Sequence, residues 1–312
     1  MSSQMSSQKT HRGIVVGLDG SPTSTEAVGW AAREAAMRNV PLNLVHVAAP
    51  VGSRPGPALE RFPVPENYEE WQKAHGKQIL EDAQRVVADS TPQHAPPEVT
   101  KELLVSAPVS ALIDLSKTAE MMVVGCRGHT SLERALLGSV SYGLVHHAQC
   151  PVAVVHDDDP LVLRPATAPI VVGIDFSAAS ELATDIAFDE ASLRGVELVA
   201  VHAWTDVSIR GLPGFSWSPS EWSNQKAQAE EDLAKWLERW RVRYPDVVVR
   251  CIVVRDWPAQ RLLEQSESAQ LVVVGNHGRG GVGGMLLGSV SRAVIDSIRI
   301  PVIVSEPRPR TP

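Results

Sequence analysis

Leu271-Val272-Val273-Val274-Gly275-Asn276-His277-Gly278-Arg279-Gly280-Gly281-Val282-Gly283-Gly284-Met285-Leu286-Leu287-Gly288-Ser289-Val290-Ser291 reads as a strand, a glycine loop and the opening of a helix. The apolar run 271–274 suits a strand buried on both faces of a parallel sheet and is too short for a helix. Glycines between 275 and 284 remove Cβ atoms that would hold an anion away from the main chain. The helix opening at Gly288-Ser289 aims its first N–H groups at the same place. The stretch predicts an α/β protein with a phosphate-binding loop.

The same punctuation stands 150 residues earlier, as Gly125-Cys126-Arg127-Gly128, nine further residues, then Gly138-Ser139-Val140-Ser141. Both copies read G-x-x-G-x9-G-S, and 10 of the 21 positions from 121 to 141 match those from 271 to 291. Each copy follows an apolar run and ends in L-L-G-S-V-S, which marks an internal duplication. On these motifs the chain resembles the universal stress protein family in its tandem-domain, ATP-binding form, and is similar to actinobacterial and mycobacterial members. The resemblance implies two tandem Rossmann-like domains of the adenine nucleotide alpha hydrolase-like type, each a five-stranded parallel sheet with helices on both faces. It also implies ATP as ligand, accompanied by Mg2+.

A length of 312 residues accords with two domains. With 44% hydrophobic and 21% charged residues, each half has material for an ordinary core. The net charge of −7 leaves no basic excess to displace counterions, so no nucleic-acid partner is expected. Cys126, Cys150 and Cys251, without a C-x-x-C pair, predict neither a disulfide framework nor a zinc knuckle. The polar start lacks the apolar core of a signal peptide, and no apolar run approaches the roughly 18 residues of a membrane span. The expected location is cytoplasmic, with no membrane partner.

Taken in order, the expected layout is a disordered start over 1–12, a first domain over 13–156, a linker over 157–168, a second domain over 169–305 and a tail over 306–312. The linker is placed on the acidic, proline-bearing stretch 157–168, whose aspartates read as solvated surface. In the first copy, strands are expected over 13–18, 41–49, 99–105, 121–124 and 151–156. Helices are expected from Thr23 to Arg38, along a long amphipathic segment with Trp71, Ile79, Ala83, Val86 and Val87 on its apolar side, from Pro108, and through about His147. Alternation of this kind requires a parallel sheet between two helix layers. The second copy repeats the first strand at an offset of 156, with His202 against His46, and sets Leu233, Trp236, Leu237 and Trp240 at helical spacing as a packed face.

Ligands of a doubly wound sheet sit beyond the carboxyl ends of the strands, where strand order reverses. Asp19 and Asp175 stand there, each closing V-V-G-x-D. By chemistry alone each carboxylate is equally a helix cap. The resemblance implies that Gly17 and Asp19, and Gly173 and Asp175, line the adenosine portion of the nucleotide. It assigns Gly275, Asn276, His277, Gly278, Arg279, Gly280, Gly281, Gly288, Ser289, Val290 and Ser291 to the ribose and triphosphate. Their first-copy counterparts are Gly125, Cys126, Arg127, Gly128, His129, Thr130, Ser131, Gly138, Ser139 and Val140. Arg279 offers a fork of donors to phosphate. Asp206, just past the second strand of the second copy, is a further candidate for ribose or base, and Pro50 replaces it in the first.

The first loop departs from the second. Thr130, Ser131, Glu133 and Arg134 stand where the second copy has glycine, and His129 replaces Arg279. A carboxylate near a triphosphate weakens binding, so the second site is expected to be the stronger. Cys126 reads as a small loop-filling residue ahead of a redox thiol, and adjacent His146 and His147 point apart on a helix, against a shared metal.

No Walker lysine, nucleophile elbow or H-E-x-x-H cluster occurs, so no enzymatic constellation is expected beyond weak incidental ATPase activity. The leading expectation is a regulatory nucleotide sensor of stress or dormancy with an unidentified protein partner. The alternatives are a nucleotide-free interaction module and, at lower weight, an ATP-hydrolysing or nucleotidyl-transferring enzyme of the same architecture. A homodimer of tandem chains follows from the resemblance, since an exposed edge strand favours pairing.

Overall fold

The computed structural model describes residues 12–50, 67–91, 95–128, 137–156, 165–204, 219–278 and 287–306, the side chains of 219–222 excepted. The chain divides into two compact units, Met1–Val155 and His156–Pro312. The first contains β1 (Ile14–Leu18), α1 (Pro22–Arg38), β2 (Leu42–Ala48), α2 (Tyr68–Ser90), β3 (Val99–Val105), α3 (Pro108–Ser116), β4 (Met121–Gly125), α4 (Ser139–His147) and β5 (Val152–Val155). The second contains β6 (Ile170–Gly173), α5 (Ala178–Arg194), β7 (Leu198–Trp204), α6 (Pro219–Arg243), β8 (Val249–Arg255), α7 (Pro258–Ser266), β9 (Leu271–Gly275), α8 (Ser289–Ser297) and β10 (Val302–Ser305).

The first sheet runs β3-β2-β1-β4-β5 with every pair parallel. The second runs β8-β7-β6-β9-β10 in the same way. Each is the expected five-stranded parallel sheet. In the first unit α1 packs with α2 and α3 with α4, giving a helix layer on each face. Central strands are covered from both sides, which is why β1 and β9 are apolar runs without alternation. The edge strands β3 and β8 are only partly covered and carry exposed Lys101 and Arg250.

Element ends follow local chemistry. Pro41, Pro151 and Pro301, read from the sequence as strand residues, stand just outside their strands because proline has no N–H for the ladder. Each still accepts one bond through its carbonyl, from Ile14, Met122 and Val272 at 2.9, 2.9 and 3.1 Å. Ser21 and Ser177 cap α1 and α5 by accepting from Ser24 and Ser180. Asn39 and Gly195 end those helices in the left-handed region. In the second unit Leu233, Leu237 and Trp240 form the expected packed face. Trp71 departs from its expected place in the first: it is 56% exposed, in the first turns of α2, stacked between Tyr68 and His75.

Candidate functional site

Strand order reverses between β1 and β4, and between β6 and β9, and the two repeated motifs meet at these crevices. The cap of each following helix belongs to serine, and the aspartate fixes the turn before it. Oδ1 of Asp19 accepts from the Ser21 N–H at 3.0 Å, and Asp175 holds Ser177 at the same distance. Oδ2 of each faces the second glycine of the motif. A Cβ on Gly128 would stand 2.5 Å from Asp19 Oδ2, and one on Gly278 would stand 2.6 Å from Asp175 Oδ2. The carboxylate and the loop backbone can touch only because that residue lacks a side chain.

The first glycine also serves the fold. Gly125 and Gly275, expected at the anion, line the cavities, and their missing Cβ atoms face helices α1 and α5. A Cβ on Gly125 would meet the Thr23 carbonyl carbon at 2.7 Å, and one on Gly275 would meet the Ala179 Cβ at 2.8 Å. The loop mouth is closed by main-chain bonds of 2.7 Å, from Gly138 N–H to Cys126 O and from Gly288 N–H to Asn276 O. Ser141 and Ser291 donate their hydroxyls to Gly125 O and Gly275 O at 2.6 and 2.5 Å. These bonds hold the first turns of α4 and α8 against the strand ends.

Neither Gly138 nor Gly288, the N-cap residues of α4 and α8, supplies a side-chain cap. Ser139 and Val140, and Ser289 and Val290, therefore bring first-turn N–H groups to the wall of a cavity, where a positive helix end suits an anion. The first cavity measures about 400 Å3 and the second about 390 Å3. Gly17, Asp19, Gly125, Arg127, Gly128 and Gly138 line the first; Gly173, Asp175, Gly275, His277, Gly278, Gly288 and Ser291 line the second.

Cys126 and Asn276 do not reach these cavities. Both are buried, at 1% and 0% exposure, because the side chain after a strand end alternates to the opposite face. Cys126 is a packing residue closed off from solvent, and the side-chain amide of Asn276 has no hydrogen-bond partner among the described residues. His129, Thr130, Ser131, Asp206, Arg279, Gly280 and Gly281 lie outside the described residues, as does Glu133.

Pro108 and Leu112, with Pro258 and Leu262, also line the two cavities, as do Ser24 and Ser180. The sequence carried a signal for them, since each pair is identical at the repeat offset of 150 or 156. A second unassigned pair is His46 and His202, whose Nδ1 atoms bond Leu18 O at 2.8 Å and Ile174 O at 2.7 Å. Each ties the second strand of its sheet to the strand end that carries the aspartate.

Burial holds the His46 pKa below its ordinary value; the Leu18 bond and Asp19 oppose this, and His75 reinforces it. The unfolded chain thus binds the proton more readily, so stability is full above the ordinary histidine pKa of about 6.5 and is lost as pH falls from there toward the folded value. Urea denaturation of His46→Asn, which retains an N–H donor and does not titrate, should show a smaller loss between pH 7.5 and 5.5 than the natural chain. Equal losses would contradict this reading.

A family model described as universal stress protein family matches residues 10–156 and 167–305. Universal stress protein Rv2623 of Mycobacterium tuberculosis is 48% identical over 301 residues, covering 96% of this chain and 98% of that protein. Universal stress protein Rv1996 of the same organism is 50% identical over 308 residues, covering 96% and 97%. The crystal structure of a universal stress protein from Archaeoglobus fulgidus shares the fold with a TM-score of 0.66, at 20% identity over 95% of this chain and 99% of that one. With both matched regions carrying the same strand, glycine loop and helix, the chain belongs to the universal stress protein family and holds two of its domains in tandem.

Proposed function

We propose that this chain is a regulatory adenine-nucleotide-binding protein that holds ATP in the second cavity, more weakly in the first, and signals stress or dormancy through occupancy rather than turnover. The observation that carries this is the meeting, in each unit, of a motif glycine without a Cβ, a helix N-terminus without a side-chain cap and a carboxylate around one cavity. Volumes near 400 Å3 suit a nucleotide-sized ligand. Phosphates would lie on the loop and on the first turns of α4 and α8, and the nucleoside would cross β1 or β6 toward the next strand.

Among the described residues no group of three or more His, Cys, Asp or Glu side chains forms a metal cage. A Mg2+ brought with ATP would be held mainly by the phosphates, with Asp19 or Asp175 as the carboxylate each motif offers. The proposal includes a cytoplasmic location, a dimer of tandem chains and a downstream protein partner. No helix among the described residues is long and apolar enough to cross a membrane. For the first half alone, Glu133 in its loop favours a second reading, a nucleotide-free interaction module.

Calorimetric titration of the full chain with ATP tests the ranking. A Cβ at residue 278 or 128 meets an aspartate carboxylate rather than main chain, so Gly278→Val and Gly128→Val are each expected to close one cavity while the chain still folds. Gly128→Val should leave the tighter event intact, and Gly278→Val should leave one weaker by about tenfold or more, roughly 1.4 kcal/mol. Equal affinities in the two variants would refute the ranking.

A further inference from the structure

The two cavities differ at the end away from the glycine loop. The first extends past β2 to α2, where Tyr68, Trp71, Gln72, His75 and Ile79 line it. Among the described residues the second reaches Val201 and Ala203 at this end and is lined by none of α6. The cause lies in two substitutions at the repeat offset of 156: Gly20 of the first unit corresponds to Phe176 of the second, and Ala48 to Trp204. Phe176 packs on His202 at 4.6 Å and edge-on to Trp236 at 5.4 Å, while Trp204 stacks on His202 at 5.6 Å. The space that is open beside His46 is filled by aromatic rings beside His202.

Phe176 has φ +64°. Gly20 takes φ +83° at the same turn, where glycine is unstrained. A bulky residue held in the left-handed region is strained and persists only where surrounding contacts impose it. The aromatic cluster does so here, and it places a phenyl ring beside Asp175.

We propose that the first cavity contains a base-end subsite for adenine nucleotides bearing a flat apolar group on the base, and that Phe176 and Trp204 exclude such ligands from the second. This rests on the nucleotide reading above, which puts phosphate on the loop over β4 and so directs the base across β1 toward β2. The extra ring would meet the wall of Tyr68, Trp71 and His75, whose rings lie 5.8 and 5.0 Å apart in sequence along α2. The first half thus draws binding from the base end where its loop has lost glycines, and the two halves answer to different nucleotides.

The test compares ATP with N6-benzyl-ATP in the full chain, with one cavity silenced at a time. In the Gly278→Val chain, N6-benzyl-ATP should bind at least as tightly as ATP and quench tryptophan fluorescence, and adding Trp71→Ala should remove both the advantage and the quench. In the Gly128→Val chain it should bind about tenfold or more weaker than ATP, the range expected when a pocket lacks room for a group. Adding Phe176→Gly with Trp204→Ala should bring that penalty below about threefold. The same preference in both halves, or no response to Trp71→Ala, overturns the proposal. Failure of ATP itself to bind in either chain would instead be failure of the nucleotide reading, and would take this proposal with it.

Discussion

Gly275→Ala should lower the stability of the second unit by about 1–3 kcal/mol, the cost of forcing an atom into a packed site, whereas Gly278→Ala should cost no more than about 1 kcal/mol of stability and weaken ATP binding about tenfold or more. The two glycines belong to one motif, yet the structure gives them different neighbours. A Cβ at residue 275 would stand 2.8 Å from Ala179 Cβ, 2.9 Å from its carbonyl carbon and 3.1 Å from Ser180 N. Those atoms open helix α5, and main chain in a capped first turn has little room to retreat. At residue 278 the Cβ meets only Asp175 Oδ2, which a side-chain rotation can withdraw. That rotation loosens the Oδ1 bond to the Ser177 N–H, worth about 1 kcal/mol, and displaces the carboxylate from the cavity wall. For a unit of this size, the Gly275→Ala cost corresponds to a melting-temperature drop of about 2–12 °C. A stable Gly275→Ala chain, or an unfolded Gly278→Ala chain, would show that the division of labour has been assigned the wrong way round.

Phe188→Ala should cost the second unit about 3–5 kcal/mol, as expected for a buried aromatic truncated without collapse of its surroundings. Phe188 is fully buried on α5 and stacks on Trp240 at 6.1 Å and on Tyr244 at 5.8 Å. Its counterpart at the repeat offset of 156 is Ala32, also fully buried, so alanine is tolerated at this place in the fold when its neighbours are chosen for it. In the second unit they are not: the Trp240 ring of α6 and the Tyr244 ring just past its end would face an emptied space. Denaturation followed by tryptophan fluorescence measures the loss, and a change below about 1 kcal/mol would mean that α6 closes onto the gap.

The sheet was legible because its strands are buried on both faces, so Val-rich runs beside Gly, Pro and Ser punctuation leave little choice of element. The crevice was legible for a related reason: its chemistry lies in backbone, and the glycines and serines that permit that backbone recur in both copies. Their individual duties were not legible. That Gly275 faces helix α5 while Gly278 faces Asp175 depends on where α5 begins in space, which no local pattern states. The place of Asp19 beside the cap was not legible either: Ser21, not Asp19, caps α1, and Asp19 holds the Ser21 N–H. Trp71 misled because helical periodicity assigns a face without saying whether the helix still overlies the sheet in its first turns. The aromatic filling of the second crevice depends on the register of α6 against β7, and the first copy is longer in the corresponding segment.

The central claim is that the second unit holds ATP, and the most direct measurement is of what the protein carries from the cell. Full-length chain purified without added nucleotide is denatured, and released adenine nucleotide is quantified per chain beside Gly278→Val. The account predicts about one ATP per natural chain and little in the variant, in keeping with one tight and one weak site. Natural chain that releases no nucleotide and takes up no added ATP would contradict it.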